Sequence, residues 1–233
     1  MLVKFGGGVL DARGSIGGNT FSRNRYGAYA RARVTPVNPQ SLRQSAIRAI
    51  VSEVTTQWLG VLTAVQRAAW GVFASNVPAK NKLGEEIFLS GFNQFVKSNV
   101  ALKNAGLAYI AAAPVVFTLP GEDTSFAASA DAGTGKLSIV FDDTRDWVDE
   151  DEAGMIIQAG IPQNGSINYF NGPWRHAGII LGDSVSAPST PDATIDYPYE
   201  IADGQQIFVR GKIIRADGRI SDWFRGNSTV ATA

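Results

Sequence analysis

The chain has 233 residues, 45% of them apolar, which is enough to build one large core or two small ones and excludes a disordered chain. It has no cysteine and a single histidine, which excludes disulfides, thiolate nucleophiles and metal sites built from thiolates or several imidazoles. Formal charge is zero, yet residues 1–111 carry 13 Lys and Arg against 4 Asp and Glu, a balance of +9, while residues 112–233 carry 8 against 17, a balance of −9. Such a division speaks about partners rather than fold: the basic half seeks an acidic surface or phosphate, and a head-to-tail homo-oligomer is an expectation.

Residues 1–38 hold seven glycines before residue 28, with Pro36 near the end of the stretch and Pro39 just beyond it. They read as an extended Gly/Arg-rich docking arm. The opening Met-Leu-Val-Lys-Phe-Gly-Gly-Gly lacks the layout of a secretory signal, and the apolar run Ala108–Phe117 is short and broken by Pro114, so neither secretion nor membrane insertion is expected. A period of two places Tyr26, Ala28, Ala30, Ala32 and Val34 on one face, with Arg25, Tyr29, Arg31 and Arg33 mostly on the other. A small-residue face flanked by arginines suits strand addition to a neighbour's sheet. Arg13, Arg23, Arg25, Tyr26, Tyr29, Arg31 and Arg33 are the candidate partner-binding residues.

Residues 39–111 carry helical signals. Asn38-Pro39 reads as an N-cap and first helical residue, followed by Leu42, Ala46, Ile47, Ile50, Val51, Val54 and Trp58 at helical intervals. Thr63-Ala-Val-Gln66 is a capping-box pattern opening a second helix through Val65, Ala69, Trp70 and Phe73. Ser90 caps a third, with Phe92, Phe95, Val96 and Val100 inward and Gly106 as its stop.

Residues 112–233 change to a strand period. Leu137, Ile139 and Phe141 alternate with Ser138, Val140 and Asp142; Met155–Ile161 is a continuous apolar run; Ile207, Val209, Gly211 and Ile213 alternate with Phe208, Arg210 and Lys212. Turn signals divide them, most clearly Asp217-Gly218 before Ile220. The stretch Ile201–Trp223 resembles the last two strands of fibronectin type III domains, departing from them at Ile207, where a tyrosine is common. The fold class expected is α+β: an extended arm, a small three-helix region and a C-terminal antiparallel immunoglobulin-like β-sandwich.

The sequence equips the chain for no reaction. His176 leaves any serine-histidine-aspartate triad resting on one residue, and its plain reading is a strand or surface histidine. The acidic stretch 142–152 fails as a calcium loop, since counting from Asp149 puts Ala153 at the fifth position and Gly160 at the twelfth; a solvated loop, adventitious calcium or a glycosidase-like carboxylate pair stay open for it. Gly14-Ser-Ile-Gly-Gly-Asn-Thr lacks the lysine of a phosphate loop, and Gly6-Gly-Gly-Val lacks a strand-turn-helix context. Trp58 and Trp70 sit at helix-core spacing, and at least two of Trp147, Trp174 and Trp223 are expected in a core, a sugar-stacking platform being the alternative.

The combination of GSIGGNTFSRNRYGAYARARVTPVNPQS with QWLGVLTAVQRAAWGVFASNVP, within residues 5–100, resembles a group of proteins encoded by tailed phages and prophages. The resemblance implies a virion structural protein, assembled in the host cytoplasm, with other virion proteins as partners, the major capsid protein first among them. It implies no enzyme, no catalytic residues and no cofactor. A capsid decoration or cement protein is the leading expectation. A tail, neck or baseplate component, a nucleic-acid-binding protein using the arginine arm, and a carbohydrate-binding module are the alternatives.

Overall fold

The protein is mixed α+β, with three helices and several antiparallel sheets. The computed structural model describes residues 2–4, 6–7, 11–81, 83–190, 193–226 and 229–231; Gly8 and Val9 of the first glycine run lie outside them. The amino-terminal region departs from the expected unpaired arm. Its strands β1 (Leu2–Val3), β2 (Gly14–Ile16), β3 (Asn19–Asn24) and β4 (Gly27–Ala32) pair with one another in the order β1-β4-β3-β2. Two of its glycines sit at hairpin turns. Gly17, at φ 56°, turns the chain between β2 and β3, and Gly27, at φ 122°, follows a turn in which the Asn24 side chain accepts from the Tyr26 backbone N–H at 2.9 Å.

Three helices follow: α1 (Leu42–Gly60), α2 (Ala64–Asn76) and α3 (Gly91–Asn104), with a short hairpin of β5 (Ala79–Lys80) and β6 (Glu86–Ile87) between the last two. The α1 cap is Ser41, whose hydroxyl accepts from the Gln44 N–H, and not Asn38. Gln40, at φ 48°, turns the backbone just before it. Thr63 and Gln66 close a reciprocal capping box on α2, and Ser90 caps α3. Gly106, at φ 82°, ends α3 in a Schellman motif: its N–H bonds Lys103 at 3.1 Å and that of Leu107 bonds Leu102 at 3.0 Å. The helices share a core of Val54, Leu62, Trp70, Phe73, Val77 and Phe95. A side chain at Gly91 would begin 2.7 Å from the Gly71 nitrogen, so α2 and α3 cross with their backbones in contact.

The remaining strands are β7 (Ala127–Asp131), β8 (Lys136–Val140), β9 (Gly154–Ala159), β10 (Arg175–Leu181), β11 (Thr194–Asp196), β12 (Gln206–Ile207), β13 (Val209–Ile214), β14 (Phe224–Arg225) and β15 (Thr229–Val230). They form a three-stranded sheet β11-β8-β7, a four-stranded sheet β10-β9-β13-β14 and a pair β12-β15. Both larger sheets feed one core. Leu137, Ile139 and Ile195 come from the first, and Met155, Ile157, Ile180, Val209, Ile213 and Phe224 from the second, with Phe141 and Trp147 filling between. Alternation therefore sends Ile156, Gln158, Arg210, Lys212, Ile214 and Arg225 to the opposite, outer face of the four-stranded sheet.

That outer face is divided. One half, Ile156 and Ile214 with Ile179 beside them, is covered by Leu102 and Ala101 of α3 and by Leu107 and Ile110. The other half, with Gln158, Arg210 and Arg225, carries aromatic side chains instead. Asn99, buried in α3, fixes the chain that leaves the helix: its Oδ1 accepts from the Ile110 N–H at 2.6 Å and its Nδ2 donates to the Ile110 carbonyl at 3.2 Å.

Candidate partner interface

The structure separates the seven residues predicted to bind a partner. Pairing of Arg23 with Ala28 and of Phe21 with Ala30 puts Arg23, Phe21 and the alanines on one face of the amino-terminal sheet. Tyr29 and Arg31 lie on the other, opposite Ser22 and Thr20. Arg25 and Tyr26 occupy the β3–β4 turn, and Arg33 follows β4 with its N–H bonded to the Gly18 carbonyl at 2.7 Å. Arg13 precedes β2 and pairs with Asp11 at 3.2 Å. Tyr26 works within the fold: its hydroxyl accepts from Asn93 Nδ2 of α3 at 3.3 Å, and Lys4 pairs with Glu85 nearby. These two contacts seat the sheet tip against the helical region. A shallow groove of about 490 Å³ remains there, lined by Arg23, Arg25, Tyr26, Glu86, Ile87 and Phe88.

An exposed apolar surface, of which the sequence reading had placed Val65 and Ala69 on the core stripe, lies on the helices. Val65 is 78% exposed and Val72 54%, one above the other on α2, and Leu59 and Val61 are 71% and 56% exposed at the α1–α2 corner. Ala68 and Ala69 complete the same α2 face, which carries no charge. Of the stripe that periodicity found on this helix, Trp70 and Phe73 are buried, with Ala74 beside them, while Val65 and Ala69 face solvent. The same correction holds for α1, where Val54 is buried while Leu42 is 91% exposed.

Of the three tryptophans in the strand region, only Trp147 is in the core. Trp174 and Trp223 lie on the outer face of the four-stranded sheet, with the Arg210 guanidinium between them at 4.7 and 4.3 Å from the ring centroids. The expectation of two core tryptophans fails because Trp223 precedes the inward Phe224 and so points outward, where Arg210 and Lys212 stack on it.

The acidic loop is built as structure. Asp142 accepts from the Thr144 hydroxyl at 2.6 Å and faces Arg145, which together hold its carboxyl below the ordinary range. Arg215 pairs with Glu150 and with Asp146, and Asp151 receives the Ser184 N–H at 2.8 Å. Among the described residues no three His, Asp or Glu side chains converge as a metal would need, and no helix is long and apolar enough to cross a membrane. His176 is half-buried; burial first, and Arg43 second, hold it below the ordinary histidine range, and its Nδ1 has no hydrogen-bond partner in the structure. No family model, curated protein or solved structure matches the chain.

Proposed function

We propose that the chain is a non-enzymatic structural protein of a tailed-phage particle, a decoration or cement component that docks on neighbouring shell subunits through its helices and amino-terminal sheet. One observation carries the docking: a solvent-facing helical surface of Leu59, Val61, Val65 and Val72, left exposed by the described residues. Contiguous apolar surface on a folded protein marks a place where another protein sits. The resemblance of residues 5–100 to phage-encoded proteins supplies the setting. For residues 112–233 we infer an immunoglobulin-like sandwich, supported by a three-stranded and a four-stranded antiparallel sheet that share one core.

Quantitative mass spectrometry of purified particles tests the reading. The expected result is a copy number in the hundreds, as for a shell component; a handful of copies moves the protein to a tail, neck or baseplate, and absence from particles removes the proposal. Val65→Glu with Val72→Glu is expected to abolish incorporation while leaving the circular dichroism unchanged. A second reading, nucleic-acid binding, rests on Arg23, Arg25, Arg31 and Arg33, none of which takes part in the ion pairs of the described residues. It predicts steeply salt-dependent DNA binding that reversal of those four charges abolishes.

A further inference from the structure

The uncovered half of the four-stranded sheet's outer face is a strip of alternating cations and rings. Arg225 lies 5.5 Å from the Tyr169 ring and 5.7 Å from Trp174; Arg210 lies between Trp174 and Trp223; Lys212 lies 5.2 Å from Trp223. Three separate segments of the chain supply these residues. Arg210 and Arg225 stand directly opposite each other in the β13–β14 pairing, a like-charge juxtaposition that costs stability unless something answers it. Their hydrogen-bond partners are neutral. Arg210 donates to the Gln158 side-chain carbonyl at 2.6 and 2.9 Å, and Arg225 to the Phe170 carbonyl at 3.2 Å and Asn171 Oδ1 at 3.3 Å. Ion pairs of the described residues use Lys4, Arg13, Lys103, Arg145, Arg215 and Arg219 and none of these cations. Asp222 brings a negative charge near Lys212 and faces Lys97 as well.

The opposite end of the same sheet has the opposite excess. β9 leaves the acidic loop at Gly154 and five residues later ends beside the strip, a distance of about 17 Å at about 3.3 Å per residue. In that loop Asp143, Asp149, Asp151 and Glu152 are exposed and have no cation partner among the described residues.

We propose that the Tyr169–Arg225–Trp174–Arg210–Trp223 strip, with Lys212 largely buried at its inner end, receives the acidic 142–152 loop of a second copy of this chain, joining copies head to tail. Carboxylates of the incoming loop answer the facing arginines, whose stacking on rings holds the guanidinium planes fixed before the partner arrives. The two surfaces differ, so each copy keeps one free end, and repetition gives a closed ring or an open stack according to the rotation per step.

Sedimentation of the full chain across a range of protein concentrations tests this, at about 50 mM salt and at about 1 M, where screening shortens to about 3 Å. Expected is a mass that grows with concentration at low salt and returns to that of the monomer at high salt. Arg225→Glu, and separately Asp143→Lys with Asp149→Lys, each weaken association by about tenfold or more. Mixing the two variants restores a 1:1 complex, because one retains the acidic end and the other the cationic strip. Should Arg225→Glu fail to fold, the loop variant decides alone, since both its positions are exposed and take no part in the ion pairs of the described residues. A wild-type chain that stays monomeric at low salt overturns the proposal. Association that both variants retain and Val65→Glu removes also overturns it, moving the contact to the helical face. Neither result bears on whether the protein is found in particles.

Discussion

Gly182 shows how one missing side chain sets a surface. A methyl there would begin 2.1 Å from the Trp147 carbonyl and 2.6 Å from that of Glu150, both backbone atoms of the acidic loop. Backbone cannot step aside as a flexible side chain does, so Gly182→Ala is expected to destabilise the protein by about 2 kcal/mol or more, read from urea unfolding. Lys212 makes a contrary case. Burial first, then the Lys97 and Arg210 charges, lower its pKa to about 8 against the partial relief of Asp222. Between pH 8 and the ordinary lysine value of 10.5 the unfolded chain holds a proton that the folded chain has lost, so this residue makes stability rise with pH across that window. Below pH 8 both states are protonated and the cost of the buried charge is present in full. Lys212→Met is therefore expected to stabilise the fold at pH 7, by about 1 kcal/mol or more, and to flatten the rise between pH 8 and 10.5. A urea midpoint that is unchanged at pH 7 and climbs as steeply in the variant would contradict it.

At the scale of elements, what the sequence made legible was what is decided locally. The Thr63–Gln66 capping box, the Ser90 cap and the Gly106 stop depend on residues within one turn of each other, and each stands where the spacing put it. Thr63→Ala is expected to cost about 1 kcal/mol and Gly106→Ala about 1–2 kcal/mol, the latter because only glycine sits at φ 82° without strain. Strand alternation was equally local, and Leu137, Ile139, Val209 and Ile213 all face the core. Which face of a helix is covered is a tertiary matter. α3 has neighbours on two sides, so its polar Gln94, Ser98 and Asn99 are buried along with Phe95 and Leu102, whereas Val65 on α2 has none. The cation–ring strip was illegible for the same reason, since residues 169, 174, 210, 212, 223 and 225 meet only across two strands and two loops. The amino-terminal sheet is the least anchored element: of the described residues in its strands only Ala30 is buried. Its amides are expected to exchange hydrogen fastest among the sheets, and trypsin to cut first at Arg23, Arg25, Arg31 or Arg33, with protection once the protein is docked. First cleavage between residues 136 and 215 would contradict this order.

Taken whole, the molecule divides by charge but not by packing. The basic and acidic halves meet in a cluster that takes Leu102 from one and Ile156, Ile214 and Ile220 from the other. Trp70 Nε1 donates to the Ala111 carbonyl at 3.0 Å and Arg219 to the Thr118 carbonyl at 2.8 Å, so the stretch between helices and strands is held from both sides. One cooperative thermal transition is the expected outcome, with calorimetric and van't Hoff enthalpies in agreement. A fragment of residues 112–233 exposes the isoleucines of that cluster and is expected to bind hydrophobic dyes that the full chain does not.

The wedging of α3 between the other helices and the four-stranded sheet has a mechanical consequence. A load that pulls the strands away from the helices meets a whole face of interlocked side chains at once, with Asn99 gripping the strand-ward chain beside it. Shear across such a face resists far more than peeling one contact after another. The strand half is thus a bracket rather than a pendant: it stands at one angle to whatever holds the helices, and what binds at its far end is presented at a fixed height and bearing.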